Sequence, residues 1–331
     1  MQGFNSRGSV QRFLSTHAAV HNTFNVQHSS GGEGRLLGLL ALGAEHKENG
    51  PMTTSRTFVT DLTALDTPDV PDWVQGGWRR VLKRTTATGA EDRTTDCIYL
   101  QTGSLYADIR VPVDRPALTG RRGVDDCTPQ ELAAMSTVSA FAGWCEFENG
   151  VAHWIRPIDL NPPSGGEDEG RMAIQDGNLW EYGLQGQHVE EYTPRGNGAR
   201  RKGAWALAPD PVEPRPGVLV IVDDLIIRAL GRPRAMEVGN TLAERVMKFA
   251  DDRAALRQLF DCELSLAIIG DLTVTRSSLA WREGLRLAPK GAFRVGEGAD
   301  ELIEEGDGRP YRWRRRGAGS DAASLAQLLN G

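Results

Sequence analysis

The residues best suited to chemistry alternate along one short segment, Ser104-Leu-Tyr-Ala-Asp-Ile-Arg-Val111. Tyr106, Asp108 and Arg110 are two positions apart, and side chains spaced by two in a β-strand point to the same face. The positions between them are aliphatic: Leu105, Ala107, Ile109 and Val111. If the aliphatic face packs against another part of the chain, the phenol, carboxylate and guanidinium point into the interior of a barrel.

A second group of candidates comes from the predicted hairpin around Asn149-Gly150. Strand pairing from this turn places Trp154 and Arg156, which is opposite Gly143, on the same face as Phe147. A buried arginine needs a carboxylate partner. The candidate ligand-binding residues are Tyr106, Asp108, Arg110, Trp154, Arg156 and Trp180. Such a lumen suits a small anionic or partly apolar ligand; the alternative is a surface ladder or an internal ion-pair cluster that only sets strand register.

Other reactive side chains show weaker patterns. His153 is predicted to lie opposite Glu146, which allows either an acid–base dyad or an ordinary surface pair. The sequence has no nucleophile-elbow pattern and no glycine-rich loop between a strand and a helix. The four cysteines form no CxxC pair and have no histidine at zinc-finger spacing, so we expect reduced thiols, no metal and no cofactor.

Two turn sequences indicate which elements position these residues. Glu148-Asn149-Gly150-Val151 and Gln175-Asp176-Gly177-Asn178 supply the positive-φ residues of type I′ hairpins. Thr128-Pro-Gln-Glu131 is a capping box and predicts a short helix to about Val138. The predicted strands are Trp78–Arg84, Thr95–Gln101, Leu105–Val111, Phe141–Glu148, Val151–Ile158, Arg171–Gln175, Asn178–Gly183 and His188–Thr193. Eight sequential strands fit a small closed barrel.

A second β-rich block follows a proline-rich linker at 209–216. A hairpin is predicted at 217–230, a helical stretch at 240–260 that breaks near Asp251, and strands at 263–269, 272–276, 279–283 and 311–316. The predicted organisation is a disordered extension at 1–51, a first barrel at 52–195, a second barrel at 196–317 and a flexible tail at 318–331. The fold class is mainly β: two antiparallel barrels in tandem with a few short helices.

Composition narrows the classes of partner. The chain has 331 residues, 40% of them hydrophobic, and a formal net charge of −6. An acidic chain disfavours binding to nucleic acid or to anionic membranes. No run of 18 apolar residues is present, and the expected location is the cytoplasm.

Four segments resemble a known group of proteins: Trp78-Arg-Arg80, Tyr99–Pro112, Phe141-Ala-Gly-Trp144 and Trp154–Pro163. They are similar to uncharacterised bacterial and fungal proteins with lipocalin-like (calycin) barrels, and more distantly to the Hri-type tandem-barrel proteins of yeast. The resemblance spans roughly 75–290 and implies a tandem barrel without any transferable catalytic residue.

The function expected from these observations is non-catalytic binding of a small, partly apolar or anionic ligand in the first barrel. One alternative is an enzyme on the same scaffold that uses Tyr106, Asp108, Arg110 or His153 for proton transfer. Another is a protein-interaction module whose barrels are filled with side chains.

Residues 1–51 lack a hydrophobic period, so we expect them to contribute nothing to the stability of the folded part. A chain that begins at Met52 should show the same Tm as the full-length chain in a thermal melt. A decrease of several degrees would contradict this prediction.

Overall fold

The computed structural model describes residues 59–306 and 308–331. The predicted extension at 1–51 lies outside this range. The described part is mainly β and antiparallel, as predicted. None of its helices is long and apolar enough to cross a membrane.

The first sheet closes on itself as an eight-stranded barrel. Its order is β1-β3-β4-β5-β6-β7-β8-β9, and β1 pairs with β9, while the short β2 extends one side of β1. The strands are β1 Gly76–Thr85, β2 Glu91–Asp92, β3 Asp96–Thr102, β4 Leu105–Val111, β5 Ser139–Glu148, β6 Val151–Asp159, β7 Glu169–Gln175, β8 Asn178–Gly183 and β9 His188–Pro194. All eight predicted strands are therefore present.

Both predicted hairpin turns have the backbone that their residues favour. Asn149 and Gly150 have φ of 52° and 80°, and the Asp176-Gly177 turn has 51° and 81°. The register next to the first turn is the predicted one, with Cys145 opposite Trp154. Further along, the predicted pairing of Gly143 with Arg156 is interrupted by a bulge, because Trp144 pairs with Ile155 and Ala142 with Ile158.

The second sheet is curled but open, a half-barrel in which the two edge strands do not pair. Its order is β14-β13-β12-β11-β10-β17-β16-β15. The strands are β10 Lys202–Leu207, β11 Gly217–Val222, β12 Leu225–Leu230, β13 Glu263–Ile268, β14 Val274–Ser277, β15 Phe293–Val295, β16 Glu301–Glu304 and β17 Tyr311–Arg315. The sequence did not predict β10, β15 or β16, and the strand predicted at 279–283 is a 3₁₀ turn at Ala280–Arg282.

Four short α-helices accompany the sheets: α1 Pro129–Met135, α2 Leu242–Lys248, α3 Arg253–Leu259 and α4 Ala322–Asn330. The capping box predicted at Thr128 is formed, with both of its hydrogen bonds. The predicted break in the helical stretch separates α2 from α3, and Asp252 rather than Asp251 caps α3. Within the tail expected to be flexible, residues 322–330 form α4, and Leu325 and Leu329 are fully buried against the second sheet.

The largest hydrophobic core lies between the barrel's outer wall and the second sheet. It joins the aliphatic face of β4 to one face of β11 and β12, with α1, α2 and α3 around it. Polar contacts connect the same two sheets: the Thr102 hydroxyl donates to the Ile221 carbonyl at 3.1 Å, and Arg276 pairs with Asp96 at 2.6 Å. The barrel wall is thus held from outside, which leaves its interior free for polar groups.

The left-handed backbone at Gly150 and Gly177 predicts how these turns respond to substitution. Gly150→Val and Gly177→Val should each lower the free energy of unfolding by on the order of 1–2 kcal/mol, since a β-branched residue strains this region. Open space or ordinary contact surrounds both positions, so strain is the main effect. Urea unfolding measures it. Gly166→Val, at a glycine with open surroundings and no left-handed φ, is the control and should leave the midpoint unchanged; equal midpoints for all three would contradict the turn assignment.

Candidate functional site

One end of the first barrel is closed by apolar side chains. Val70 and Val74 are buried in the same cluster as Trp78, and the Trp78 indole donates to the Val74 carbonyl at 2.9 Å. Trp73 packs edge-on against Phe147 with ring centroids 5.5 Å apart. This segment contacts the start of β1 and the end of β5, and so it covers one end of the barrel.

We call the apolar cover formed by Val70, Trp73 and Val74 the plug. The half of the barrel away from the plug contains a small cavity lined by both apolar and ionisable side chains. Its lining is Tyr99, Asp108, Arg110, Phe141, Trp154, Asp168, Met172, Leu179, Glu181 and Tyr192. The cavity volume is about 20 Å³. A cavity needs roughly 10–15 Å³ to hold one water molecule, so this cavity has room for about one water. Any larger guest requires a side chain to move.

The alternating row of β4 lies inside the barrel. Tyr106 is fully buried and Asp108 is 2% exposed. Arg110 donates twice to one oxygen of Asp108, at 2.9 and 2.8 Å, and its side chain remains 20% exposed. Burial alone would lower the pKa of Arg110, but Asp108 and Glu190 raise it well above its usual value. Arg110 is therefore a permanent cation that already has carboxylate partners.

Trp154 and Arg156 also face the lumen, but Trp180 does not. The Trp154 indole donates to the Tyr99 hydroxyl at 3.3 Å. The Arg156 guanidinium lies 3.5 Å from the centroid of the Phe141 ring. Trp180 is half-buried and stacks on Tyr182. The structure does not place Trp180 in the lumen, because Leu179 and Glu181, its neighbours on β8, take the inward positions.

A buried ion-pair cluster beside the cavity is built around Glu190, which the sequence analysis did not select. Its carboxylate lies 2.6 Å from Lys83, 3.3 Å from Arg80 and 3.6 Å from Arg110. The Tyr192 hydroxyl donates to the other oxygen at 2.5 Å. Burial would raise the pKa of Glu190, but the three cations hold it well below the usual range. The signal in the sequence was the alternation of Glu190 and Tyr192 on β9, together with the need of a buried arginine for an acid.

Glu181 is the second carboxyl that sequence reasoning missed. It is 7% exposed, lies 3.1 Å from His188 Nε2 and 3.5 Å from the Tyr192 hydroxyl. Burial and the nearby charge of Glu190 raise the pKa of Glu181. Tyr192 therefore bridges two buried carboxyls of opposite behaviour, one strongly ionised and one that keeps its proton to higher pH.

The remaining candidates give no reactive arrangement. His153 pairs with Glu146 in the predicted register, and its ring lies 3.2 Å from Glu169 in a partly exposed ion pair. Burial raises the pKa of the Cys145 thiol to about 12, which makes it a poor nucleophile. All four cysteines are buried and unpaired. Among the described residues, no group of three His, Cys, Asp or Glu side chains could hold a metal ion.

Comparison of the chain with protein-family models, with curated proteins and with solved structures gave no match. The assignment of a function therefore depends on the geometry of the barrel alone.

The two carboxyls of the site predict opposite dependences of stability on pH. Glu190, with its lowered pKa, stabilises the fold above the unfolded-state value of about 4.3, and this contribution is lost as the pH falls through the folded value. Glu181, with its raised pKa, stabilises the fold below about pH 4.3, and this contribution is lost as the pH rises through the folded value.

Glu190→Gln should therefore cost about 3–5 kcal/mol near neutral pH, because it removes the buried carboxylate that Arg80, Lys83 and Arg110 share, and less in acid. Glu181→Gln should gain stability relative to the wild type as the pH rises. Urea unfolding from about pH 3 to pH 8 measures both. Curves for the two variants that run parallel to the wild type would contradict the assignment.

Proposed function

We propose that the first barrel binds a small, partly apolar ligand at its ionisable end. The observation that carries this proposal is the composition of the cavity, where aromatic and aliphatic walls meet buried ionisable groups. Phe141, Met172 and Leu179 supply the apolar surface, while Asp108 and Glu181 supply the polar groups. Ligand sites in proteins combine a mostly apolar lining with a few converging polar groups.

The energetics of the charged cluster support binding over a purely structural role. Removing charges from water costs several kcal/mol per ion, and an apolar core of the same volume often gives equal or greater stability. Apolar and aromatic side chains fill much of the same lumen, so charged groups are not the only way in which this barrel could be filled. Perturbed ionisable groups in a cleft are typical of functional sites.

The cavity volume favours a second candidate function. A barrel that is filled with its own side chains would leave space for about one water, as this barrel does. The second candidate is therefore the protein-interaction module that the sequence analysis gave as an alternative. In that case the ion pairs would only set the strand register, and the functional surface would lie elsewhere. The resemblance to lipocalin-like proteins implies a tandem barrel and an unassigned function, so it favours neither candidate.

Native mass spectrometry of the protein purified from its natural host tests the proposal. We expect an adduct of one small organic molecule that is lost under denaturing conditions. Met172→Phe, which adds volume to the cavity lining, should remove the adduct. Met247→Phe, at a position 36% exposed, is the matched control and should retain it. A wild-type chain without an adduct, or an adduct that Met172→Phe leaves intact in a folded chain, would favour the filled barrel.

A further inference from the structure

We infer that the polar end of the ligand is a small organic cation, an alkylammonium or guanidinium group, that takes the place of the Arg110 side chain against Asp108. This inference rests on the proposed function and names the class of its ligand. It reverses the expectation of an anionic ligand that the arginines suggest in the sequence.

The first reason is the charge of the cavity lining. Within the described part of the chain, the lining contains three carboxyl side chains, Asp108, Asp168 and Glu181, and one cation, Arg110. Arg156 also faces the lumen beside Phe141, but its charge is paired with Asp159 and Asp168. Asp108 and Asp168 would repel an anion entering this space, and an anion would also oppose ionisation of Glu181, whose pKa is raised. A cation would meet the carboxyls at short range in a region partly withdrawn from water, where their attraction is strongest.

The second reason is that the arginines are already occupied. Arg110 holds Asp108 and lies near Glu190, while Arg156 contacts Asp159 at 2.7 Å and Asp168 at 3.0 Å. An anionic ligand would have to replace one of these carboxylates, and Asp108, Asp159 and Glu190 are held on strands. A cationic ligand needs only to displace the guanidinium group of Arg110, which is partly exposed and can turn toward water.

The third reason is the chemistry of the walls. The chain itself places guanidinium groups against the Phe141 ring, with Arg156 at 3.5 Å and Arg110 at 5.1 Å from the centroid. Cations are attracted to the faces of aromatic rings, most strongly where they are desolvated. Tyr99, Tyr192 and Trp154 complete an aromatic surround. The position of Arg110 therefore marks where a cation is stable in this barrel.

The Arg110 side chain is also able to make room. It lines the cavity and is 20% exposed, whereas Asp108 is 2% exposed. A long arginine side chain can turn its charged end to water while its stem stays in place. This movement would enlarge the cavity beside the Asp108 carboxylate. The cation of the ligand would then pair with Asp108 in place of Arg110, so that the buried carboxylate keeps a partner.

The test uses three probes with the same carbon chain: butylammonium, butyrate and 1-butanol. The readout is the ¹H–¹⁵N signal of the Trp154 indole, which lines the cavity and is assigned by comparison with Trp154→Phe. We expect butylammonium to shift this signal saturably and butyrate to leave it unchanged. Arg110→Met should tighten butylammonium binding by about tenfold, because the competing internal cation is gone.

Asp108→Asn should weaken butylammonium binding by about tenfold or more, since the carboxylate partner is lost. Glu169→Gln removes an acid that pairs with His153 outside the lumen and is the control that should change nothing. If Arg110→Met does not fold, the three probes on the wild type and the Asp108→Asn variant still decide.

A shift with butyrate alone, or weaker butylammonium binding in a folded Arg110→Met variant, would overturn the cation inference and leave the proposed function standing. No shift with any of the three probes would also overturn the inference. The native-mass adduct decides the proposed function separately, since its absence would remove ligand binding as a whole.

Discussion

The structure depends on one strand that has to satisfy two environments. The aliphatic face of β4 packs into the core shared with β11 and β12, while its other face carries Tyr106, Asp108 and Arg110 into the barrel. Because side chains alternate strictly along a strand, a slip of one residue would place a charge in the inter-sheet core and aliphatic groups in the lumen. The external core thus fixes the register that builds the internal site.

This arrangement moves the main hydrophobic stabilisation outside the barrel. The plug at the closed end is apolar, but the other half of the lumen contains Arg80, Glu190, Glu181 and Asp108, all nearly fully buried. Such a network gives little net stability, because desolvation offsets most of the attraction between its charges. The second sheet and its helices therefore supply the hydrophobic stabilisation that the lumen lacks. Helix α4 covers the other face of that sheet.

Local signals predicted much of the fold and part of the site. The turns at Asn149-Gly150 and Asp176-Gly177 fix two hairpins, and period-two alternation identified Tyr106, Asp108 and Arg110 as one inward row. The elements that the sequence did not predict form through contacts between residues far apart in the chain. Short strands such as β15 and β16 have too few residues to show a period, and the tail becomes α4 only because the half-barrel offers a surface to Leu325.

The bulge in β6 is a feature within the site that local sequence signals did not predict. Pro157 cannot donate to the strand ladder, and a Cβ at Gly143 would lie 2.1 Å from the Ile155 carbonyl oxygen, so the two chains approach closely there. Pairing from the turn correctly gives Trp154 an inward position, but the position of Arg156 follows from the bulge and from its partners Asp159 and Asp168. Those partners lie at the end of β6 and just before β7, where no turn or alternation in the sequence specifies a distance. The inward residues of the barrel can therefore be predicted from the strand period. The pairing of their charges, on which our proposal of a cationic ligand depends, is set by the closure of the barrel.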